Sequence, residues 1–237
     1  MTALSGLLRR SLLAACIALL SPGFVLAEGL RVSPVTLDVT APGAATVLTL
    51  RNEGRAPITV QTRVFRWQQR NGQESLIPTR EVVVSPPMTR LAPGTAQTIR
   101  VVRPGKSPVQ GEEAYRIIVD EVPDRNAPNG TVAFATELRI PLFFTASGAK
   151  APSVRWSLRE TAGGIVLQAQ NTGDRRLRIA DLRLGRDSRV VLRRNGLLGY
   201  VLGNSVMQWH LSGAARGINR LSAATNTGTS NAVVARQ

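Results

Sequence analysis

The sequence predicts an all-β chain built from two β-sandwich domains, and three observations carry that expectation. Short runs of alternating apolar and polar residues recur at close spacing, each bounded by turn chemistry. No segment within residues 30–144 shows a helical period. Between two such series lies a small-residue, proline-ended stretch, Ala146-Ser147-Gly148-Ala149-Lys150-Ala151-Pro152, which reads as a domain linker. The chain has 237 residues, 43% of them apolar, enough for one large or two modest cores. The expected division is a signal peptide at residues 1–27, a first domain at 28–146 and a smaller second sandwich at 147–237.

Residues 1–27 have the three parts of an export signal. Arg9 and Arg10 supply the positive region, residues 12–20 (LLAACIALL) the apolar region, and Val25-Leu26-Ala27 the small-residue cleavage site. The apolar run is too short for a permanent transmembrane helix, so no stable membrane insertion is expected. A competing lipoprotein reading would acylate Cys16 within Leu13-Ala14-Ala15-Cys16. The five residues between Arg10 and Cys16 are too short an apolar region for it. Cleavage after Ala27 removes the sole cysteine, so the exported chain must hold its cores together without disulfides.

In the first domain the expected strands are residues 32–39, 46–51, 58–67, 81–84, 98–102, 114–122 and 131–144. Between them stand Ala41-Pro42-Gly43, Asn52-Glu53-Gly54, Asn71-Gly72, Ser85-Pro86-Pro87, Pro93-Gly94 and Pro104-Gly105, where glycine admits positive φ and proline presets its own. Ile58, Val60, Thr62 and Val64 alternate with Thr59, Gln61 and Arg63, the pattern of a half-buried strand. Beyond the linker, strands are expected at 164–171, 176–184, 190–194 and 206–211, with turns at Asn195-Gly196 and Gly203-Asn204. From Gly213 onward only Ile218, Leu221, Val233 and Val234 offer apolar anchors, so that stretch reads as a weakly paired last strand or a tail.

Composition excludes most chemistry. Lysine and arginine number 30 against 15 acids, a formal charge of +15. One cysteine and one histidine leave no disulfide framework, no cluster of metal ligands and no Ser–His–Asp or Cys–His set, so neither enzyme activity nor a metal or cofactor is expected. An aromatic content of 4% argues against a base-stacking surface, and no nucleic-acid partner is expected. Gly105-Lys106-Ser107 looks like the end of a phosphate-binding loop, but Arg100 stands where that loop needs glycine and Pro108 bars the following helix. His210, beside Trp209 in an apolar strand, reads as a core or rim imidazole. Glu112-Glu113 and Asp120-Glu121 are neighbours on strands, so each pair points to opposite faces and cannot share a proton. Arg175-Arg176, Arg178, Arg183, Arg186, Arg189, Arg193 and Arg194 crowd the second domain and read as a solvated basic surface.

Residues 131–144 (TVAFATELRIPLFF) form an expected strand more than twice the usual length. Val132, Phe134, Thr136, Leu138, Ile140 and Leu142 share one face, with Ala133, Ala135, Glu137 and Arg139 on the other. Such a strand either gives one face to its own core or lends the apolar side chains of its end to another protein.

Three stretches carry a more specific likeness: Ser33-Pro34-Val35-Thr36-Leu37; Ser85-Pro86-Pro87 leading through Arg90-Leu91-Ala92-Pro93-Gly94 to Gln97-Thr98-Ile99-Arg100-Val101; and residues 115–123 (YRIIVDEVP) followed by 131–144. With these, the chain resembles the periplasmic chaperones of the chaperone–usher pathway that assemble fimbriae. The resemblance implies two immunoglobulin-like sandwiches in an L-shaped, boomerang arrangement. It also implies a fimbrial (pilus) subunit as partner, whose missing last strand the chaperone replaces with its own by donor-strand complementation, and delivery to an outer-membrane usher. Carried over by position, Val132, Phe134, Thr136 and Leu138 are the donor residues. The family's basic pair, which holds the subunit's terminal carboxylate, does not carry over, because Thr36 and Pro141 stand at those positions. That departure resembles the archaic branch associated with spore-coat-U-type pilins, and it leaves Arg90, Arg100 and Arg139, beside the matching motifs, as substitute anchors. The alternative is a secreted two-domain adhesion or carbohydrate-binding module. It would expose aromatic residues in loops, whereas Trp67, Trp156 and Trp209 fall in or beside strands.

Overall fold

The structure, a computed structural model, describes residues 29–123, 135–187, 189–213 and 217–236, which are all β with no helix among them. Ten strands come from the N-terminal part: β1 (Leu30–Ser33), β2 (Leu37–Thr40), β3 (Ala45–Asn52), β4 (Ile58–Arg70), β5 (Gln73–Pro78), β6 (Val83–Ser85), β7 (Met88–Leu91), β8 (Ala96–Val102), β9 (Glu112–Val122) and β10 (Glu137–Thr145). They form a four-stranded sheet, β1-β3-β8-β6, and a six-stranded sheet, β2-β10-β9-β4-β5, in which β7 also pairs with β4. Leu48, Leu50, Ile99 and Val101 of the first sheet meet Ile117, Val119, Leu142 and Phe144 of the second in one apolar core.

The single strand expected at 32–39 is two strands in different sheets, β1 on β3 and β2 on β10. Pro34 has no amide to continue a ladder, and Val35, 70% exposed, marks the crossing between sheets. The long strand expected at 131–144 is described from Glu137 to Thr145, and its expected start at 131–134 lies outside the described residues. β4 runs on to Arg70 because β5 pairs with its residues 65–70, while β7 pairs with its start at residues 58–61. The sequence pattern does not announce β5, since all but one of its residues are exposed and it lacks an alternating apolar set.

The C-terminal part supplies β11 (Val154–Thr161), β12 (Gly164–Asn171), β13 (Leu177–Arg186), β14 (Arg189–Val201), β15 (Ser205–Leu211), β16 (Arg220–Thr225) and β17 (Gly228–Arg236) in the order β14-β13-β16-β17-β11-β12-β15. The last stretch, expected as a weakly paired strand or a tail, is thus a hairpin of two strands. β17 runs antiparallel to β16 and then, at residues 234–236, parallel to β11, joining the two halves of the sheet around one core. Asn195-Gly196, expected as a turn, is instead a bulge inside β14: Ala180 pairs with Leu197 and Leu182 with Arg194, so two residues stand opposite the single Asp181. Gly196 adopts φ of 76° there and its amide donates to Asp181 Oδ1 at 2.7 Å. His210 is exposed on β15, a rim position and not a core one.

Two buried asparagines do the same work in the two parts. Asn52 Nδ2 donates to the carbonyls of Ala56 and Leu91, and Asn171 Nδ2 to those of Arg175 and Leu202. Each also accepts, at Oδ1, the amide of the glycine two residues on, Gly54 and Gly173, so the turn after the strand is tied to its neighbours without water.

At one end of the N-terminal core Arg103 donates through Nε and Nη2 to Glu113 at 2.8 Å, and the Tyr115 hydroxyl meets Glu113, Glu81 and Arg66. Burial pushes Tyr115 well up, so it stays a neutral donor. Burial also works to raise Glu113, but the Arg103 and Tyr115 hydrogen bonds outweigh it and hold the carboxyl below the ordinary value of 4.5. A depressed carboxyl stabilises the fold above its unfolded value, and that contribution fades as pH falls through the folded one. Thermal melting followed across pH should therefore show Glu113→Gln less stable than wild type near neutrality, by about 1.5–3 kcal/mol. The gap should narrow below pH ~4.5; a constant gap over that range would remove Glu113 from the acid response.

Candidate functional site

The side of the six-stranded sheet turned away from its core ought to be polar, and at one end it is. There Arg63 pairs with Asp120 at 2.6 Å and Arg139 with Glu137 at 2.6 Å, all on the surface. The other end carries Trp67, Ala114 and Phe143, which are buried because Tyr200 and Leu202 of the C-terminal sheet pack on them in a separate apolar cluster. Trp67 and Tyr200 meet edge to face at 5.4 Å between ring centroids. Gln69 fixes this contact: its side-chain amide donates to the Tyr200 carbonyl at 2.8 Å and accepts the Leu202 amide at 2.9 Å. Gly72, at φ +78°, lies so close to Gln208 that a Cβ would come within 2.7 Å of it, and its carbonyl accepts the Gln208 amide at 3.0 Å.

Arg176 closes the junction. Expected with its neighbours on a solvated surface, it is instead buried, and its guanidinium lies 3.5 Å from the centre of the Phe143 ring. Its Nη1 donates to Glu112 Oε2 at 2.6 Å and its backbone amide to Glu112 Oε1 at 2.8 Å, while Nη2 donates to Asp38. The adjacent acids of the 112–113 pair therefore do opposite jobs, Glu112 toward the C-terminal sheet and Glu113 toward Arg103.

Arg116 stands where the covered end of this face gives way to the open end. Its guanidinium lies 3.7 Å from the Trp67 ring centre and 5.5 Å from that of Tyr200. Among the described residues no carboxylate forms an ion pair with it. Burial, foremost, and the charge of nearby Arg139 hold it below the usual arginine value, against an opposing pull from Glu74. Pairing register sets Arg116 opposite Pro141, one residue before Leu142, which itself pairs with Leu37.

β10 has two unlike halves. It pairs with β9 along its whole length, but β2 joins only at residues 142–145, so among the described residues 137–141 have no strand on their other side. Thr136 and Leu138 are half-buried at this open edge, and Leu138 packs on the N-terminal core. Val132 and Phe134 lie outside the described residues. The three arginines singled out from sequence are not brought together. Arg139 is on the open end of the face just described, Arg90 is exposed on β7, and Arg100 is exposed on β8, opposite Val47 in the other sheet. Arg116 escaped notice because it sits inside an apolar run, YRIIV, and only the register reveals its neighbours.

A family profile described as the pili and flagellar-assembly chaperone, PapD N-terminal domain, matches residues 29–150. The chain belongs to this family. Solved structures share its two-domain fold. The CsuC–CsuE chaperone–tip adhesion subunit pre-assembly complex, from archaic chaperone–usher Csu pili of Acinetobacter baumannii, contains a chain 24% identical with a TM-score of 0.70, over 88% of this chain and 99% of that one. In the complex of Salmonella enterica SafA pilin with the SafB chaperone, the matching chain is 19% identical with a TM-score of 0.62, over 88% and 98%. The CupB2 chaperone of Pseudomonas aeruginosa is 20% identical with a TM-score of 0.58, over 86% and 100%. No curated protein sequence matches the chain.

In this pilus-assembly chaperone Arg176→Met should leave Glu112, whose side chain is 2% exposed, without its charged partner. Loss of one member of a buried pair costs about 3–5 kcal/mol, which urea unfolding would register as a lower midpoint. Pairing Arg176→Met with Glu112→Leu should recover much of it, since no buried charge then remains. A midpoint unchanged in the single variant would mean that Arg176 does not hold the junction.

Proposed function

We propose that the chain is a periplasmic chaperone, of the archaic branch, that binds fimbrial subunits by lending β10 and the residues before it as a donor strand. It then delivers them to an outer-membrane usher. The division into a signal peptide at 1–27 and domains at 28–146 and 147–237 belongs to the same reading, with export placing the chain in the periplasm. The observation that carries it is the edge of residues 137–141, which has no strand beside it among the described residues and follows a sequence of alternating apolar residues. The buried state of Trp67 and Trp156 supports this over an aromatic carbohydrate-binding surface.

In this reading Val132, Phe134, Thr136 and Leu138 enter the subunit's groove. Each apolar one contributes about 1.5–3 kcal/mol before ordering costs. A one-residue slip would turn every one of them away, so a fixed end to the strand matters more than total area. Arg116, with Arg139 beside it, is the anchor we assign to the subunit's terminal carboxylate. It stands across one ladder from Pro141, so β9 supplies the cation that the related chaperones carry on the donor strand itself. No step needs a nucleotide: binding and later strand exchange are downhill.

Phe134→Asp should abolish co-purification of the subunit while leaving the melting temperature of the free chaperone unchanged, because an unpaired ion in a dry groove is costly. A variant that keeps its subunit would sink the donor assignment. Arg116→Ala should weaken capture roughly ten- to a hundredfold, the equivalent of about 1.5–3 kcal/mol. Removing the subunit's last residue should cost little more in that variant, and fully additive losses would place the anchor elsewhere. Arg90→Ala and Arg100→Ala serve as controls in the same assay. Mass spectrometry of the native protein should give a chain beginning at Glu28, and an acylated Cys16 would overturn the export reading.

A further inference from the structure

The outward face of the β13–β14–β16–β17 half of the C-terminal sheet holds a groove of about 470 Å³ lined by Arg183, Arg189, Arg220, Val190, Asn231 and Val233, among others. The register explains its shape. Arg183 pairs with Arg193 on one side and Ser222 on the other, while Gly185 pairs with Val190 and Arg220, and Arg220 with Val233. Gly185 has no side chain to fill the floor, and a Cβ there would meet the Arg189 carbonyl oxygen at 2.8 Å. A notch is thereby left between Arg183 and Arg220.

Two features of this notch are costly as they stand. Like charges directly opposite on neighbouring strands repel, and Arg183 faces Arg193. Among the described residues no ion pair joins Arg183, Arg189, Arg193 or Arg220 to a carboxylate; the one acid in the lining, Asp187, lies 4.0 Å from Arg186 and contacts Asn219. Val233 is 78% exposed and Val190 37%, on opposite sides of the notch. A ligand that relieves both must bring negative charge and apolar surface together.

We infer that this groove docks a short extended segment of an acidic protein partner, its carboxylates on Arg183 and Arg220 and an apolar side chain against Val190 and Val233. The groove lies on a different sheet from β10 and from Arg116, so it is a surface separate from the donor edge. A free phosphate would leave the valines in water. A second copy of this strongly basic chain, still at +13 once residues 1–27 are removed, would be repelled.

The test is a titration of the isotopically labelled protein with the peptide acetyl-Glu-Val-Asp-Val-Glu-amide, read by amide chemical shifts. Saturable shifts at Gly185, Val190 and Val233 are expected, with affinity at least tenfold weaker in the Arg183→Ser/Arg220→Ser variant and at high salt. Should that variant melt early, Val233→Ser takes its place. No saturation in the millimolar range, or equal binding of acetyl-Lys-Val-Lys-Val-Lys-amide, overturns the inference. The same shifts with inorganic phosphate alone would make it a free-anion site, and capture by phosphatidylglycerol vesicles a lipid site; either result also overturns it.

Discussion

The orientation of the two parts of this chaperone depends on one buried cation. Arg176 reaches from the start of the C-terminal sheet to Glu112 and Asp38 of the N-terminal sandwich while its plane rests on Phe143. A buried pair of this kind adds little net stability, because desolvation offsets most of the attraction. What it supplies is exclusivity. Any other docking angle would leave Glu112 buried with no cation, keeping only the Thr145 hydroxyl as a partner, so the rest of the junction, Trp67, Tyr200, Leu202 and Gln69, is held to one arrangement.

That arrangement decides what the face of the six-stranded sheet can do. Half of it is roofed by the C-terminal sheet and behaves as core. The other half stays open, with salt-bridged charges and the edge of β10 that has no strand beside it among the described residues. Arg116 lies on the boundary, partly desolvated by the Trp67 and Tyr200 rings and still half-exposed. Its stacking on Trp67 fixes the guanidinium without using up its hydrogen-bond donors, which an ion pair would have done.

The arginine-rich composition therefore covers several different physical roles. Arg103 holds a loop and a half-buried glutamate, Arg176 sets a junction, Arg116 stacks on Trp67 without an ion pair among the described residues, and Arg183 and Arg193 face each other uncompensated on a surface. Their shared side chain gives no hint of which is which. Environment, through the number of carboxylates and rings within reach, makes the difference.

Local chemistry was enough for the class of fold. Alternation at Ile58, Val60, Thr62 and Val64, the Asn52-Glu53-Gly54 turn and the opposed faces of Glu112 and Glu113 all follow from a period of two and from turn stereochemistry, which neighbouring residues specify by themselves. The family likeness was legible for the same reason, in short contiguous motifs. Strands without an apolar alternation, such as β5, were not legible, and neither was the break at Pro34 that sends β2 to another sheet. Trp67 and Arg176 look like an ordinary strand residue and an ordinary surface charge until the second sheet is laid over the first. Which side chains share the junction, and which arginine faces Pro141, is fixed by pairings between residues far apart in the chain, and no local pattern encodes those distances.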